Sequence, residues 1–182
     1  MGTKIEVRLS GSGGQGVILA GIILAEAAGI YDGKNVVQTQ SYGVEARGGA
    51  SRAEVIISDE EIVFPEVTQP DILLAMNQPS VNKYVGTLKE GGTLIVDGTQ
   101  VKNVPAIKAK VFTIPLSELG IQAGGVILSS IAALGALVGL TGIASKNAMR
   151  KAILGRVPKG TEDLNMRALD FGFKAAKQAL GK

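Results

Sequence analysis

Apolar and polar side chains alternate over residues 3–10, with Ile5, Val7 and Leu9 on one face and Lys4, Glu6 and Arg8 on the other. That period of two predicts a strand. Residues 17–29 then change character, being almost wholly Ala, Ile, Leu and Gly with Glu26 the sole charge, and predict a buried helix. Residues 35–40 read as a short second strand after the turn Asp32-Gly33-Lys34-Asn35. Residues 50–58 alternate again, Ala53, Val55 and Ile57 opposite Arg52, Glu54 and Ile56, which predicts a half-buried strand. Ile62-Val63-Phe64 is a short apolar piece that stops at Pro65. Residues 71–76 predict a buried strand, 80–88 a short amphipathic helix, and 93–96 and 111–114 two more strands, stopped by Asp97-Gly98 and by Pro115. Strands alternating with helices in this way imply an α/β fold, a Rossmann-like, mostly parallel sheet flanked by helices.

The last third is expected to be helical. Leu164, Ala168, Phe171, Ala175 and Gln178/Ala179 fall on one face of the final segment, while Asn165, Arg167, Asp170, Lys174 and Lys177 fall on the other. Thr161 or Asp163 fits its N-cap. Residues 119–145 carry no charge and are long enough to cross a bilayer of about 30 Å. Gln122, Ser129, Ser130, Thr141 and several glycines favour a helix buried between the sheet and a partner, with a membrane anchor as the weaker alternative. The first eight residues run straight into a strand and do not resemble a signal peptide.

Composition narrows the chemistry. A chain of 182 residues, 46% hydrophobic and 19% charged, is expected to fold as one globular domain, 1–182. Its 4% aromatics and 25 glycines mean a core of Ala, Val, Ile and Leu. The net charge of +3, with no basic run interleaved with aromatics, gives no reason to expect nucleic acid. There is no cysteine, so the chain itself offers no disulfide, thiolate nucleophile or cysteine-held iron–sulfur cluster. There is also no histidine, which removes the commonest general base and zinc ligand. Catalysis by this chain alone would rest on carboxylates, Lys, Tyr and Ser.

Two glycine-rich stretches carry the candidate site. Gly11-Ser12-Gly13-Gly14-Gln15-Gly16 joins the first strand to the first helix. There, glycines bring backbone amides close to a ligand and the helix offers unpaired N–H groups. The loop can cradle an anion or dock another protein's backbone. Dinucleotide binding also needs an acid at the end of the second strand, yet that strand ends Gln38-Thr39-Gln40-Ser41, and Asp32 lies before it. The second stretch, Ser41-Tyr42-Gly43-Val44-Glu45-Ala46-Arg47-Gly48-Gly49, is longer than an ordinary connection of about 2–6 residues. Glu45 and Arg47 can form a solvated ion pair, or Arg47 can grip a phosphate, a carboxylate or a partner subunit. Parallel strands place both loops on one edge, with Asn77-Gln78 and Asp97-Gly98-Thr99 nearby. Asp97-Gly98 lacks the companions of a thiamine diphosphate motif and reads as a strand-to-turn stop.

Taken together, Gly11-Ser12-Gly13-Gly14-Gln15-Gly16-Val17, Ser41-Tyr42-Gly43-x-Glu45-x-Arg47-Gly48-Gly49 and residues 53–57 resemble the gamma subunit (or gamma domain) of 2-oxoacid:ferredoxin oxidoreductases. The resemblance covers essentially the whole chain, including Leu134-Gly135-Ala136 and Asn165-x-x-Ala168-Leu169-x-x-Gly172. The chain's length and the turn Tyr31-Asp32-Gly33-Lys34 look most like the 2-oxoglutarate branch, with the pyruvate and ketoisovalerate types next; indolepyruvate subunits share the fold. Val44 stands where the family often has Pro, and Ser129 and Ser130 stand where it often has Asn. The resemblance implies a non-catalytic subunit of a cytoplasmic hetero-oligomer with alpha, beta and in some cases ferredoxin-like delta subunits. That complex decarboxylates a 2-oxoacid on thiamine diphosphate, passes electrons through iron–sulfur clusters to ferredoxin and forms an acyl-CoA. Thiamine diphosphate and the clusters are expected in the partner subunits, coenzyme A as co-substrate, and no cofactor or metal in this chain. Gly11, Gly13, Gly14, Gln15, Gly16, Tyr42, Glu45 and Arg47 are the candidate coenzyme A-proximal or subunit-docking rim, and the chain in isolation is expected to self-associate. The alternative is a stand-alone Rossmann-type nucleotide-binding oxidoreductase using the same glycine loop.

Overall fold

The structure, a computed structural model, describes residues 2–41 and 50–181. Its strands are β1 (Lys4–Gly11), β2 (Asn35–Ser41), β3 (Ser51–Ser58), β4 (Ile72–Ala75), β5 (Thr93–Asp97) and β6 (Lys110–Ile114). They form one sheet in the order β2-β3-β1-β4-β5-β6. The pairs β1–β4, β4–β5 and β5–β6 are parallel, whereas β3 runs antiparallel to both β1 and β2. All strands but β3 therefore point the same way, as a mostly parallel sheet requires.

The helices are α1 (Val17–Glu26), α2 (Gln78–Tyr84), α3 (Leu116–Ala123), α4 (Ser129–Thr141), α5 (Lys146–Leu154) and α6 (Glu162–Ala179). They are divided unequally between the two faces. Val7, Leu9, Val55, Ile57, Ile72, Leu74 and Ile95 of the sheet join α1 and α3 to α6 in the larger core. Leu73, Ala75, Leu94 and Val96 face a smaller core closed by Val81 and Tyr84 of α2 and by Val101. The C-terminal third is helical, as expected from its sequence.

Three local expectations change. First, β3 is buried on both faces from Ala53 to Ser58, not half-buried. It lies between β1 and β2, and Glu54 is accommodated inside by an ion pair with Arg8 at 2.6 Å. Second, α1 continues as a π-helical turn, Ala27–Tyr31, closed by the Asp32 N–H on the Ala27 carbonyl at 3.0 Å. Third, the buried face of α6 is Asn165, Ala168, Leu169, Gly172, Phe173 and Ala176. Leu164 is exposed and Phe171 only half-buried, so the face is rotated by about one residue from the one that side-chain size suggests. Small residues win the inward positions because α6 packs backbone-close on α4. Asn165 is held inside by donating to the Thr161 carbonyl at 2.9 Å. Thr161 occupies the N-cap position without capping, its hydroxyl donating instead to Pro158 O.

The uncharged stretch 119–145 is broken by Gly124 and Gly142 into α3, a 3-10 turn (Val126–Leu128) and α4. Among the described residues no helix is long and apolar enough to cross a membrane. Ile62-Val63-Phe64 forms no strand, and Val63 and Phe64 point outward.

At the edge of the sheet where β1 begins, Asp59 gathers three chain segments. It accepts from the Lys34 ammonium before β2 and from the Thr3 N–H and hydroxyl before β1. The Lys34 hydrogen bond, followed by those from Thr3, lowers its pKa from 3.8 to about 2. A depressed carboxylate pKa adds stability above the ordinary carboxylate range and loses it as pH falls through the folded value. The thermal midpoint should therefore fall between pH 4 and 2 less steeply in Asp59→Asn than in the unaltered chain. Parallel melting curves across that window would refute the assignment.

Candidate functional site

Strands β1, β4 and β5 end on one edge of the sheet, and the connection from β1 to α1 forms its centre. In this connection the Gln15 N–H donates to Ser12 O at 3.1 Å. Gly16 caps α1 with φ 74°, a left-handed conformation that side chains with a Cβ resist. A Cβ there would also stand 2.7 Å from the Ser130 hydroxyl. The first N–H groups of α1 have no intrahelical partner and face this edge. Four of the five predicted residues of the loop, Gly13, Gly14, Gln15 and Gly16, sit around this turn, and the fifth, Gly11, ends β1.

The fate of Gln15 differs from that of a ligand contact. Its Oε1 accepts from the Ser12 N–H at 2.7 Å and from Asn77 Nδ2 at 3.3 Å, and its Nε2 donates to Met76 O at 3.2 Å. Asn77 is the N-cap of α2, its Oδ1 accepting from the Ser80 N–H at 2.9 Å. Gln78 continues the chain of contacts, Oε1 accepting from the Lys102 and Asn103 N–H groups at 2.9 Å. The loops after β1, β4 and β5 are thus tied together on this edge, as their shared direction predicts. Asp97 is there too, fully buried. Its carboxylate accepts from the Thr99 N–H and from the Ser117 N–H and hydroxyl. It is a strand-to-turn stop and a clamp on the start of α3, with no acceptor left aimed outward.

Tyr42, Glu45 and Arg47 lie outside the described residues. Of the described residues on either side, Ser41 at the end of β2 pairs with Arg52, and Ser51 at the start of β3 pairs with Gly11.

Sequence reasoning missed the wall facing this loop. A cavity of about 750 Å³ runs from Ser12, Gly13 and Gly14 along α1, past Leu19 and Ile127, to Val157, Pro158 and Leu164. Its surface is mainly apolar, with Ser130 and Asn165 as buried polar residues along it. Ser130 is 5% exposed, and its hydroxyl lies where a Cβ on Gly16 would meet it at 2.7 Å. Arg156, at the far end, is engaged by Glu26. That hydrogen bond and charge raise the guanidinium pKa above its ordinary value. No local signal joins this wall to the loop, because the segments that face α1 across it, from Gly124 to Ile131 and from Arg156 to Asn165, are more than a hundred residues further along the chain.

The arrangement holds more readily than it reacts. Among the described residues no group of three or more His, Cys, Asp or Glu side chains could hold a metal ion. The dinucleotide reading loses its acid: Asp32 accepts from the Ser145 N–H and hydroxyl at 2.6 and 2.7 Å, latching the turn before β2 to the start of α5. The reversed β3, moreover, occupies the place beside β1 where a dinucleotide fold puts its second strand.

A family profile described as pyruvate ferredoxin/flavodoxin oxidoreductase matches residues 6–175. The chain is 50% identical to the 2-oxoglutarate synthase subunit KorC of Methanocaldococcus jannaschii over 95% of its own length and 94% of that protein. It is similar to the crystal structure of a keto/oxoacid ferredoxin oxidoreductase gamma subunit from Geobacter sulfurreducens, at TM-score 0.90 and 48% identity, covering 97% of this chain and 98% of that one. It is also similar to part of a 2-oxoglutarate:ferredoxin oxidoreductase from Magnetococcus marinus, solved with 2-oxoglutarate, coenzyme A and succinyl-CoA bound. There the TM-score is 0.85 at 25% identity, and the match covers 96% of this chain and 31% of that one.

Proposed function

Because the chain belongs to the pyruvate ferredoxin/flavodoxin oxidoreductase family, as a gamma subunit of a 2-oxoacid:ferredoxin oxidoreductase, we propose that it is the non-catalytic subunit of a complex that converts 2-oxoglutarate to an acyl-CoA. The substrate assignment is supported by the half-identity to a 2-oxoglutarate synthase subunit over nearly the full length of both chains. The whole chain acts as one gamma-type domain in a cytoplasmic assembly with alpha and beta subunits, and electrons leave that assembly for ferredoxin. Thiamine diphosphate and the iron–sulfur clusters belong to the partners. This chain has no cysteine to ligate a cluster, and the carboxylate of its Asp97-Gly98 stop is spent on Thr99 and Ser117. Exposed Leu19, Val126, Ile127 and Leu164 form the kind of apolar surface that partner subunits cover and through which the lone chain self-associates.

The role of the glycine rim rests on one observation: the start of α1 opens onto an elongated apolar cavity lined also by the buried Ser130. Phosphate oxygens accept from N–H groups at a helix start, and the apolar walls suit an extended arm. Coenzyme A has both parts. Gly11, Gly13, Gly14 and Gly16, with Tyr42, Glu45 and Arg47 of the following connection, form its proximal rim. Gly13 has open space where a Cβ would stand, so Gly13→Asp adds a carboxylate without crowding. In the assembled complex this substitution should raise the KM for coenzyme A about tenfold with kcat retained. Unchanged KM and unchanged subunit assembly in both Gly13→Asp and Arg47→Ala would refute a rim that meets coenzyme A or a partner.

A further inference from the structure

We propose that Gln15 is a positioning residue, which sets the glycine loop for its ligand by clamping it to the turn between β4 and α2 and does not touch the ligand itself. The side-chain amide is used in both senses. Its oxygen takes the Ser12 N–H (2.7 Å) and Asn77 Nδ2 (3.3 Å), and its nitrogen gives to the Met76 carbonyl (3.2 Å). With the Gln15 N–H on Ser12 O (3.1 Å), Ser12 and Gln15 are bonded reciprocally, which closes the turn on itself. The seat for the amide is built by Gly11: a Cβ on that residue would lie 2.7 Å from Gln15 Oε1, 3.0 Å from Val17 Cγ1 and 3.1 Å from Met76 Cβ.

The clamp extends beyond the loop. Asn77 holds the start of α2 through the Ser80 N–H, and the Ser80 and Ser10 hydroxyls are bonded at 2.8 Å. Ser10 directly precedes Gly11 on β1. The circuit from Ser10 through Ser80, Asn77 and Gln15 returns to the loop one residue after it left the strand. Such a closed circuit leaves Gly13 and Gly14 at the exposed tip with their chain direction already set, so a ligand meets N–H groups that need no ordering. Removing the clamp makes that ordering part of the cost of binding.

This inference rests on the coenzyme A reading of the rim, and the test separates the two. In the complex assembled with its partner subunits, Gln15→Met keeps the bulk of the side chain and removes its hydrogen bonds. It should raise the KM for coenzyme A about tenfold with kcat within about twofold. Amide hydrogen exchange of residues 12–16 should speed by a similar factor while that of β1 is unchanged. Gly11→Ala crowds the same seat by another route and should give the same split. The double variant should be no worse than either single one, as expected of residues acting through one contact. If Gly13→Asp raises KM and Gln15→Met does not, the clamp is overturned and the rim stands. If neither raises it, both readings fall. If KM and kcat change together, or the complex fails to assemble with both Gln15→Met and Gly11→Ala, the role is structural and the proposal is overturned.

Discussion

Gly172→Ala is expected to destabilise the isolated chain by about 3 kcal/mol, a large share of the roughly 5–15 kcal/mol that holds a domain folded. On local propensity alone the change should help, because glycine inside a helix costs about 0.5–1 kcal/mol relative to alanine. Packing reverses the sign. A Cβ on Gly172 would lie 2.7 Å from the Ala136 nitrogen, 2.9 Å from Gly135 Cα and nearer still to the Ala132 carbonyl oxygen. A Cβ on Gly135 would meet the Leu169 carbonyl and stand 3.1 Å from Gly172 Cα. One turn on, a Cβ on Gly139 would stand 2.6 Å from Ala176 Cβ. Helices α4 and α6 therefore cross backbone against backbone, and what must yield is main chain, not the end of a flexible side chain. Urea denaturation gives the measurement. A loss below about 1 kcal/mol would mean that the two helices separate easily and that their contact does not hold the fold.

Arg8→Met is expected to cost about 3–5 kcal/mol, since it leaves a buried carboxylate without its partner. Arg8 and Glu54 are 4% and 7% exposed. The guanidinium donates through Nε to Glu54 Oε1 at 2.7 Å, through Nη1 to the Thr87 hydroxyl at 2.8 Å and through Nη2 to Val67 O at 2.8 Å, and its Nη2 stands 2.6 Å from the same Glu54 oxygen as an ion pair. It also lies 5.1 Å from the centre of the Tyr84 ring. Arg52, 3.7 Å from the same Glu54 oxygen, offsets part of the loss and favours the lower end of the range. The cost belongs to the orphaned charge more than to the ion pair, because desolvating two charges consumes most of their mutual attraction. Arg8→Met/Glu54→Leu should therefore recover at least half of what the single variant loses. A double variant no more stable than Arg8→Met would overturn that account.

The sequence carried different parts of this molecule with different clarity. Strand and helix positions were legible where one periodicity dominates, as in Ile5-Val7-Leu9 and the apolar run after Gly16. Direction was not. Alternation within residues 50–58 is the same whether β3 runs with or against its neighbours, so its reversed course between β1 and β2 depends on pairing across the chain. Its full burial was hidden for a related reason: Glu54 reads as solvent-facing until Arg8 is seen opposite it. The face of α6 was misjudged because Leu164 and Phe171 outweigh Gly172 on any hydrophobic scale, although a missing side chain is what lets the helices meet. At the candidate site, the glycines and Asn77 could be placed on one edge by strand direction alone. The amide contacts of Gln15 and the wall around Ser130 could not, since each needs the packed arrangement of distant segments.

The latches between the two ends of the chain bear on how it is made. Asp32 holds Ser145, Glu26 holds Arg156, and one core runs from Val7 to Phe173. A nascent chain stalled after β6 would present the sheet and α1 with their oily face bare, because the helices that cover it have yet to emerge. Such a chain gains little by folding early. The apolar face of the sheet stays open until the helices that cover it are made, so the late-formed contacts, not the early strands, complete the core.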